Sequence, residues 1–289
     1  MGLEIIIRPP KEEERDRFYE VFQSGLPGVD PMTAKDFSEW WTEGIKRGSV
    51  QKFWRVAEVE NQIVGIVINF IHEPYKWGIL WELSVLPKWR DKSIGTRLIE
   101  ESEKILLNSE KTLTDFALGM KIQNHKALRL YERLGYGIRY LVLKFIGTVW
   151  DSTDVDNFDA QKSTPDQISH FLSLLPSAYW SKRSQESWSR ISKRPQSFTV
   201  ISKQDSKIIG HFLLFPDEEE EQATSIDISF LPNFGIDVLN LAIRHVKDKK
   251  AAIWIQDCYQ DIIEYLYTKQ FKRVDCEYLL KKKIYRTMI

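Results

Sequence analysis

Two rhythms alternate along this chain: short apolar runs bounded by polar turns, and longer stretches whose apolar residues recur three and four positions apart. The short runs predict strands at Leu3 to Arg8, Phe53 to Val59, Ile63 to Phe70, Gly78 to Val85, Phe116 to Lys121 and Tyr136 to Ile146. The longer stretches predict helices. Lys11 to Ser24 gathers Phe18, Val21 and Phe22 on one face, and a second helix runs to about Arg47 with Trp40 and Trp41 inside it. Ser93 to about Leu107 is apolar at Ile94, Leu98, Ile99, Ile105 and Leu106, and Asn124 to Leu134 is closed by Gly135. Pro9-Pro10 ends the first strand, Gly25 to Asp30 reads as a loop, and Glu60-Asn61-Gln62 turns a hairpin. Thr33, or Asp30 before Pro31, caps the second helix. The order β-α-α-β-β-β-α-β-α-β describes an α/β domain around a mixed sheet.

From Thr148 to Ser163 the pattern becomes polar, with Asp151, Asp154, Asp156 and Asp159 and no helical period. This reads as a linker, or an edge strand plus linker, and sets a boundary near Trp150 between domains 1–150 and 151–289. Thr164-Pro165-Asp166-Gln167 then opens a helix with a cap, a proline at its first position and an acid in its first turn. The second half repeats the first. Ile63-Val64-Gly65 through Leu86-Pro87 aligns without a gap on Ile208-Ile209-Gly210 through Leu231-Pro232, at an offset of 145. Ile122-Gln123-Asn124 aligns on Ile255-Gln256-Asp257 at an offset of 133, so twelve residues are missing between these anchors in the second copy. The loss falls on the turn and helix after Pro232. There Asn233-Phe234-Gly235 leads straight into Ile236, while Leu266 and Gln270 stand in the places of Tyr131 and Gly135. The acidic run Asp217 to Glu221 reads as a solvated turn, or alternatively as a surface that meets a basic acceptor.

The most informative stretch is Trp81 to Leu98, where a strand stops at Pro87 and passes through a basic turn into a helix. The first N–H groups of a helix have no partners inside it and the helix dipole is positive there, so the junction suits a phosphate. Arg90, Lys92 and Arg97 add charge, while Ser93 and Gly95 allow close approach to the main chain. Val85-x-Pro87-x-x-Arg90-x-x-Ser93-x-Gly95 resembles the pyrophosphate loop of the GNAT acetyltransferase superfamily: Arg or Gln, two residues, Gly, one residue, Gly or Ala. Asn124-x-x-Ala127-x-x-x-Tyr131-x-x-x-Gly135-Tyr136 resembles that superfamily's second motif. Ser93 departs from the pattern, and if its position takes φ above zero, Ser fits poorly there and coenzyme affinity suffers.

The resemblance implies two acyl-CoA N-acyltransferase (GNAT) folds in tandem, the second without the pyrophosphate loop. It implies acetyl-CoA held by the backbone from Arg90 through Asp91, Lys92, Ser93, Ile94 and Gly95 to Thr96, with Arg90 and Lys92 outside. It also implies an arm lying along Leu83, Ser84 and Val85, on a strand that splays from the next. Asn124 and Ala127 contribute to the arm's site, and Tyr131 protonates the departing thiolate. Tyr131 lies seven residues after Asn124, two helical turns, so the two share a face; Tyr131 is alternatively a core aromatic and Asn124 a helix cap. Glu82, opposite in facing to Leu83 and flanked by Trp77 and Trp81, is the candidate base for the acceptor ammonium, or a structural acid. His72 and Glu73 are weaker candidates for that role, and His125 reads as solvent-facing.

Composition narrows the rest. In 289 residues, Lys plus Arg and Asp plus Glu balance at 41 each, so no global field favours nucleic acid or an anionic membrane. No apolar run reaches a membrane span, and Cys258 and Cys276 make no disulfide framework, which favours a cytoplasmic protein. No His or Cys spacing marks a metal site. The expected partner is a small-molecule or peptide amine, taken up by a monomer or homodimer. Alternatives are a non-catalytic acyl-CoA-binding module, a scaffold whose second half binds a protein, or transfer of a longer acyl group.

Overall fold

The computed structural model describes residues 3–25, 32–151, 155–171, 174–178, 192–194, 196–217 and 220–285. The loop after Gly25, the alternative cap Asp30, Asp154 and part of the acidic run, Glu218 and Glu219, lie outside them. The chain divides into two compact units. One comprises Met1–Leu118, Asn124–Gly137 and Leu280–Ile289; the other comprises Gly119–Gln123 and Ile138–Leu279.

In the first unit the chain forms β1 (Ile6–Arg8), α1 (Arg15–Gly25), α2 (Ala34–Lys46), α3 (Ser49–Phe53), β2 (Arg55–Val59), β3 (Gln62–His72), β4 (Trp77–Val85), α4 (Ile94–Ser109), β5 (Asp115–Lys121) and α5 (His125–Arg133). Thr33 caps α2 by accepting the Asp36 N–H at 3.1 Å. The short α3 takes Phe53 into a helix where its apolar run predicted a strand. Gly48, at φ +71°, stops α2 and restarts the chain one residue before α3. Between β2 and β3, Glu60 and Asn61 both have positive φ, the turn geometry that matches strand twist in a two-residue hairpin. Strands β1 to β4 pair antiparallel in sequence order. One sheet face buries Val56, Ile66 and Ile68 against Phe18, Phe37 and Trp41 of α1 and α2. The other buries Val64 and Val67 against Ile94 and Leu98 of α4. A buried amide ties α4 down: Asn69 Nδ2 donates to Ser102 Oγ and to the Phe53 carbonyl, both at 2.9 Å.

The second unit contains β6 (Gly137–Thr148), β7 (Phe158–Lys162), α6 (Ile168–Phe171), β8 (Leu175–Pro176), β9 (Ser197–Ser202), β10 (Ile208–Pro216), β11 (Ala223–Phe230), α7 (Gly235–His245), β12 (Lys250–Gln256), α8 (Gln260–Thr268) and most of β13 (Lys272–Lys283). The succession β10, β11, α7, β12, α8, β13 repeats β3, β4, α4, β5, α5, β6, as the aligned segments predict. The strand after α5 does not stay with the elements that precede it. β6 pairs antiparallel with β12, from Lys250↔Thr148 to Gln256↔Val142, and so belongs to the second unit, whereas the polarity change near Trp150 placed it in the first. Membership of a strand follows the edge that accepts its hydrogen bonds, which local composition does not encode. Within the polar stretch, β7 is an edge strand paired with β9. The helix opened by Thr164 is brief, a 3-10 turn followed by α6, and Thr164 N–H donates to Gln167 Oε1 at 2.9 Å.

Asp217 is not a solvated acid. Its carboxylate meets Lys144 Nζ at 2.9 Å, with the two side chains 2% and 3% exposed, and also accepts from Ser225 Oγ and the Glu220 amide. Glu220 pairs with Lys250. Among the described residues no helix is long and apolar enough to cross a membrane. Asp217→Asn removes the carboxylate that meets the buried Lys144 ammonium, and a loss of about 3–5 kcal/mol is expected in chemical denaturation. Lys144→Met combined with Asp217→Leu is expected to recover most of that loss.

Candidate active site

The site is built on β4 and the turn that follows it. β4 pairs in parallel with β5 at only three positions, Trp77↔Asp115, Gly78↔Phe116 and Ile79↔Ala117, and then runs on to Val85. From Leu80 to Val85 the backbone on that side has no strand partner among the described residues, and of its outward groups the Val85 carbonyl is met by a side chain, Arg90. The separation expected of this strand is therefore present. On its other side β4 pairs with β3 throughout, with one irregularity. Ile68 lies opposite Glu82 and Asn69 opposite Leu80, which leaves Trp81 as an extra residue. This bulge resets the alternation. Leu83 and Val85 pack with α4, whereas Glu82 and Ser84 face α1 and α2, and Ser84 Oγ donates to the Val21 carbonyl at 2.5 Å. The Ser84 side chain thus points away from the open edge's α4 side, and only its backbone is available there.

Past Pro87 a 3-10 turn, Pro87–Trp89, buries Trp89 against Ile94 and Leu98. Arg90 folds back, its Nε donating to the Val85 carbonyl at 3.0 Å and fixing the end of β4 to the turn. Lys92 Nζ lies 4.5 Å from the Trp89 ring centroid, and residues 90–93 are exposed. The first helical bond of α4 runs from the Arg97 N–H to the Ser93 carbonyl at 3.1 Å. The amides from Asp91 to Thr96 have no backbone acceptor among the described residues. Together with the dipole of this sixteen-residue helix they form a patch of unused donors. Ser93 sits at φ +62°, the left-handed region, so the departure from glycine at this position carries backbone strain. Gly95 is ordinary helix. A Cβ there would meet Leu130 of α5 at 3.4 Å, an ordinary van der Waals contact.

On α5, Asn124 Oδ1 accepts the Ala127 N–H at 3.2 Å, so Asn124 is the helix cap; its exposed amide nitrogen lies outside that bond. Tyr131 is buried, its ring edge-on to Tyr136 at 5.7 Å. Tyr136 Oη donates to Glu103 Oε1 at 2.9 Å, and Lys282 Nζ reaches the other Glu103 oxygen at 2.6 Å, so the aromatic pair is anchored to α4. Gly135, at φ +88°, ends the helix and lets the Tyr136 N–H return to the Tyr131 carbonyl. Burial, with a smaller contribution from the Glu82 charge, holds the Tyr131 phenol well above its ordinary value. Among the described residues, Glu82 is the one charge that adds to this burial effect.

The weaker candidates take other places. His72 ends β3, buried and stacked on Tyr75 at 4.9 Å, and burial pushes the Tyr75 phenol up to about 12. Glu73 begins the next 3-10 turn and is exposed, as is His125. Among the described residues no three His, Cys, Asp or Glu side chains cluster to hold a metal. Sequence reasoning missed the bulge at Trp81 and the contacts that follow from it, because a single inserted residue leaves no periodic trace.

The corresponding place in the second unit differs. β11 and β12 pair in parallel from Ala223↔Lys250 to Ile226↔Ile253 and then part, but the chain itself enters the opening. β8 pairs Ser229↔Pro176 and Phe230↔Leu175, Ser177 N–H donates to the Ile228 carbonyl at 3.0 Å, and the Gln256 N–H donates to the Ser177 carbonyl at 2.7 Å.

Residues 15–136 match the model of the acetyltransferase (GNAT) family. An uncharacterized N-acetyltransferase of Archaeoglobus fulgidus is 27% identical over 136 residues, 43% of this chain and 88% of that protein. Two solved structures share the fold along nearly the whole chain. A GCN5-related N-acetyltransferase from Sphaerobacter thermophilus has a TM-score of 0.68 at 13% identity, covering 98% of this chain and 97% of its own. A tandem GNAT protein from the clavulanic acid biosynthesis pathway has a TM-score of 0.62 at 11% identity, covering 98% and 100%. Replacing Ser93 by Gly removes a left-handed non-glycine residue, and a gain of about 1 kcal/mol is expected in the denaturation free energy; Ser93→Ala, with the same φ demand, is expected to gain nothing.

Proposed function

We propose that this chain is an N-acetyltransferase that passes the acetyl group of acetyl-CoA to a primary amine of a small molecule or peptide. The observation that carries the reading is the coincidence, within one unit, of unused amides after Pro87, an unpaired edge on β4 and a buried phenol on α5. The residues present suit a nucleotide thioester. Amides from Asp91 to Thr96 bind a diphosphate, with Lys92 adding charge outside, and Arg90 holds the turn against Val85. The edge formed by Leu83, Ser84 and Val85 offers main-chain groups to an extended arm, and the resemblance assigns Asn124 and Ala127 of α5 to the same arm.

The bound coenzyme supplies an activated thioester and a thiolate leaving group. A donor on the free edge of β4 stabilises negative charge developing on the acetyl oxygen. Glu82 takes the proton released as the ammonium becomes a nucleophile, and the acceptor nitrogen forms its bond to the acetyl carbon while the carbon–sulfur bond breaks. Tyr131 gives its proton to the departing sulfur. Its raised pKa keeps the phenol protonated and therefore competent as an acid at every pH below its ordinary titration range.

The second unit, on this reading, is a degenerate copy that holds no coenzyme. It lacks the basic turn, and its opening between β11 and β12 is bridged by Leu175, Pro176 and Ser177. The expected stoichiometry is one coenzyme A per chain, read by calorimetric titration; two sites, or no heat at all, count against the proposal.

Tyr131→Phe is expected to lower kcat by about a hundredfold while leaving coenzyme affinity in place. Glu82→Gln is expected to move the rising limb of the pH profile to higher pH, because only amine that is already neutral then reacts. Equal losses in binding and turnover for Tyr131→Phe, or an unmoved profile for Glu82→Gln, contradict these roles. Coenzyme binding without thiol release from acetyl-CoA across a panel of amines favours the non-catalytic alternative.

A further inference from the structure

An alternating strand puts neighbouring side chains on opposite faces, so Trp81 and Glu82 ought to point apart. The extra residue in β4 overrides this. Glu82 is opposite Ile68, whose side chain lies in the aromatic cluster of α1 and α2, and Trp81 meets Trp40 of α2 edge-on at 5.0 Å. Both therefore lie on the face covered by α1 and α2. Phe70 of β3 also stands edge-on to Trp81, at 5.9 Å and 89°. Behind them Trp40 packs on Trp54 at 4.6 Å and on Phe37 at 6.0 Å, and both of those rings are buried. The position of Trp81 is thus fixed from the core outward by a chain of ring contacts. Trp81 is nonetheless 45% exposed, the most exposed tryptophan among the described residues, although its strand neighbours Ile79 and Leu80 are buried.

A large aromatic surface held rigid by packing and left open beside a carboxylate has the character of a recognition site rather than of unfinished core. We infer that Trp81, with Trp40 and Phe70 behind it, forms the acceptor subsite, and that the acceptor is a primary amine bearing an aromatic or bulky apolar group next to the nitrogen. Its ammonium is drawn to Glu82 and to the negative face of the indole, and its apolar body covers the exposed ring. The bulge is what delivers the two requirements side by side. This inference rests on the functional reading above and narrows its substrate class. Short polar amines and polyamines leave the indole uncovered and are expected to be poor acceptors.

The test is made at the level of binding, so that it stands apart from catalysis. Phenethylamine and ethanolamine are each titrated calorimetrically into the full-length protein saturated with coenzyme A. The expected result is binding of phenethylamine and much weaker or undetectable binding of ethanolamine. Trp81→Ala is expected to weaken phenethylamine by about tenfold, and Trp81→Phe to restore most of the affinity. Unchanged coenzyme binding in both variants reports that the fold and the phosphate turn are intact. No heat from phenethylamine, equal affinity for the two amines, or a Trp81→Ala variant that binds phenethylamine as tightly as the parent overturns the inference even if acetyl transfer is observed. Failure of coenzyme A to bind the parent protein sinks instead the functional reading on which it rests.

Discussion

A buried or half-buried backbone must find hydrogen-bond partners, and β4 loses those on one side after its third pair with β5. That separation is the constraint on which the rest of the first unit depends. It leaves the main-chain edge from Leu80 to Val85 without a strand partner among the described residues, and the Glu82 charge adds to the burial that raises the Tyr131 phenol. The turn after Pro87 adds a second set of unsatisfied groups, the amides at the start of α4. Both sets are polar, adjacent in the chain and without a backbone partner among the described residues of the first unit, and the proposed ligand, with its diphosphate and amide-bearing arm, would supply partners to both.

The second unit meets the same constraint differently. Its parallel pair β11 and β12 also parts, but Leu175 to Ser177 enters the opening and supplies the missing partners. On the proposed reading this internal pairing takes the place of a coenzyme arm there. The two units thus separate by where their backbone hydrogen bonds go, and the loss of the basic turn after Pro232 is consistent with that internal solution. The buried Lys144–Asp217 pair is a further local commitment of the second unit, because either charge alone is expensive at that depth.

Around the proposed acceptor site the decisive device is a single extra residue. Without the bulge, Trp81 and Glu82 lie on opposite faces and the aromatic column from Phe37 through Trp40 has nothing to support at the surface. With it, a carboxylate and an indole share one side of the sheet. The strain at Ser93 is the other local departure. A left-handed residue at the start of α4 is tolerated there because Ile94 and Leu98, buried against β3, fix the helix behind it.

The sequence by itself determined most elements of the first unit, the strand–turn–helix that presents free amides, the cap at Asn124, the placement of Tyr131 on α5, and the repeat that links the two halves. These are local matters: apolar periodicity, capping chemistry and the spacing of a few residues suffice for them. Three features were decided only by tertiary structure. The destination of β6 depends on which edge accepts it, the burial of Asp217 depends on Lys144 arriving from 73 residues away, and the facing of Trp81 depends on a register shift against β3. Each is a pairing between distant segments. Its energy comes from a partner that composition and periodicity near the residue do not reveal, so no reading of the local pattern contains it.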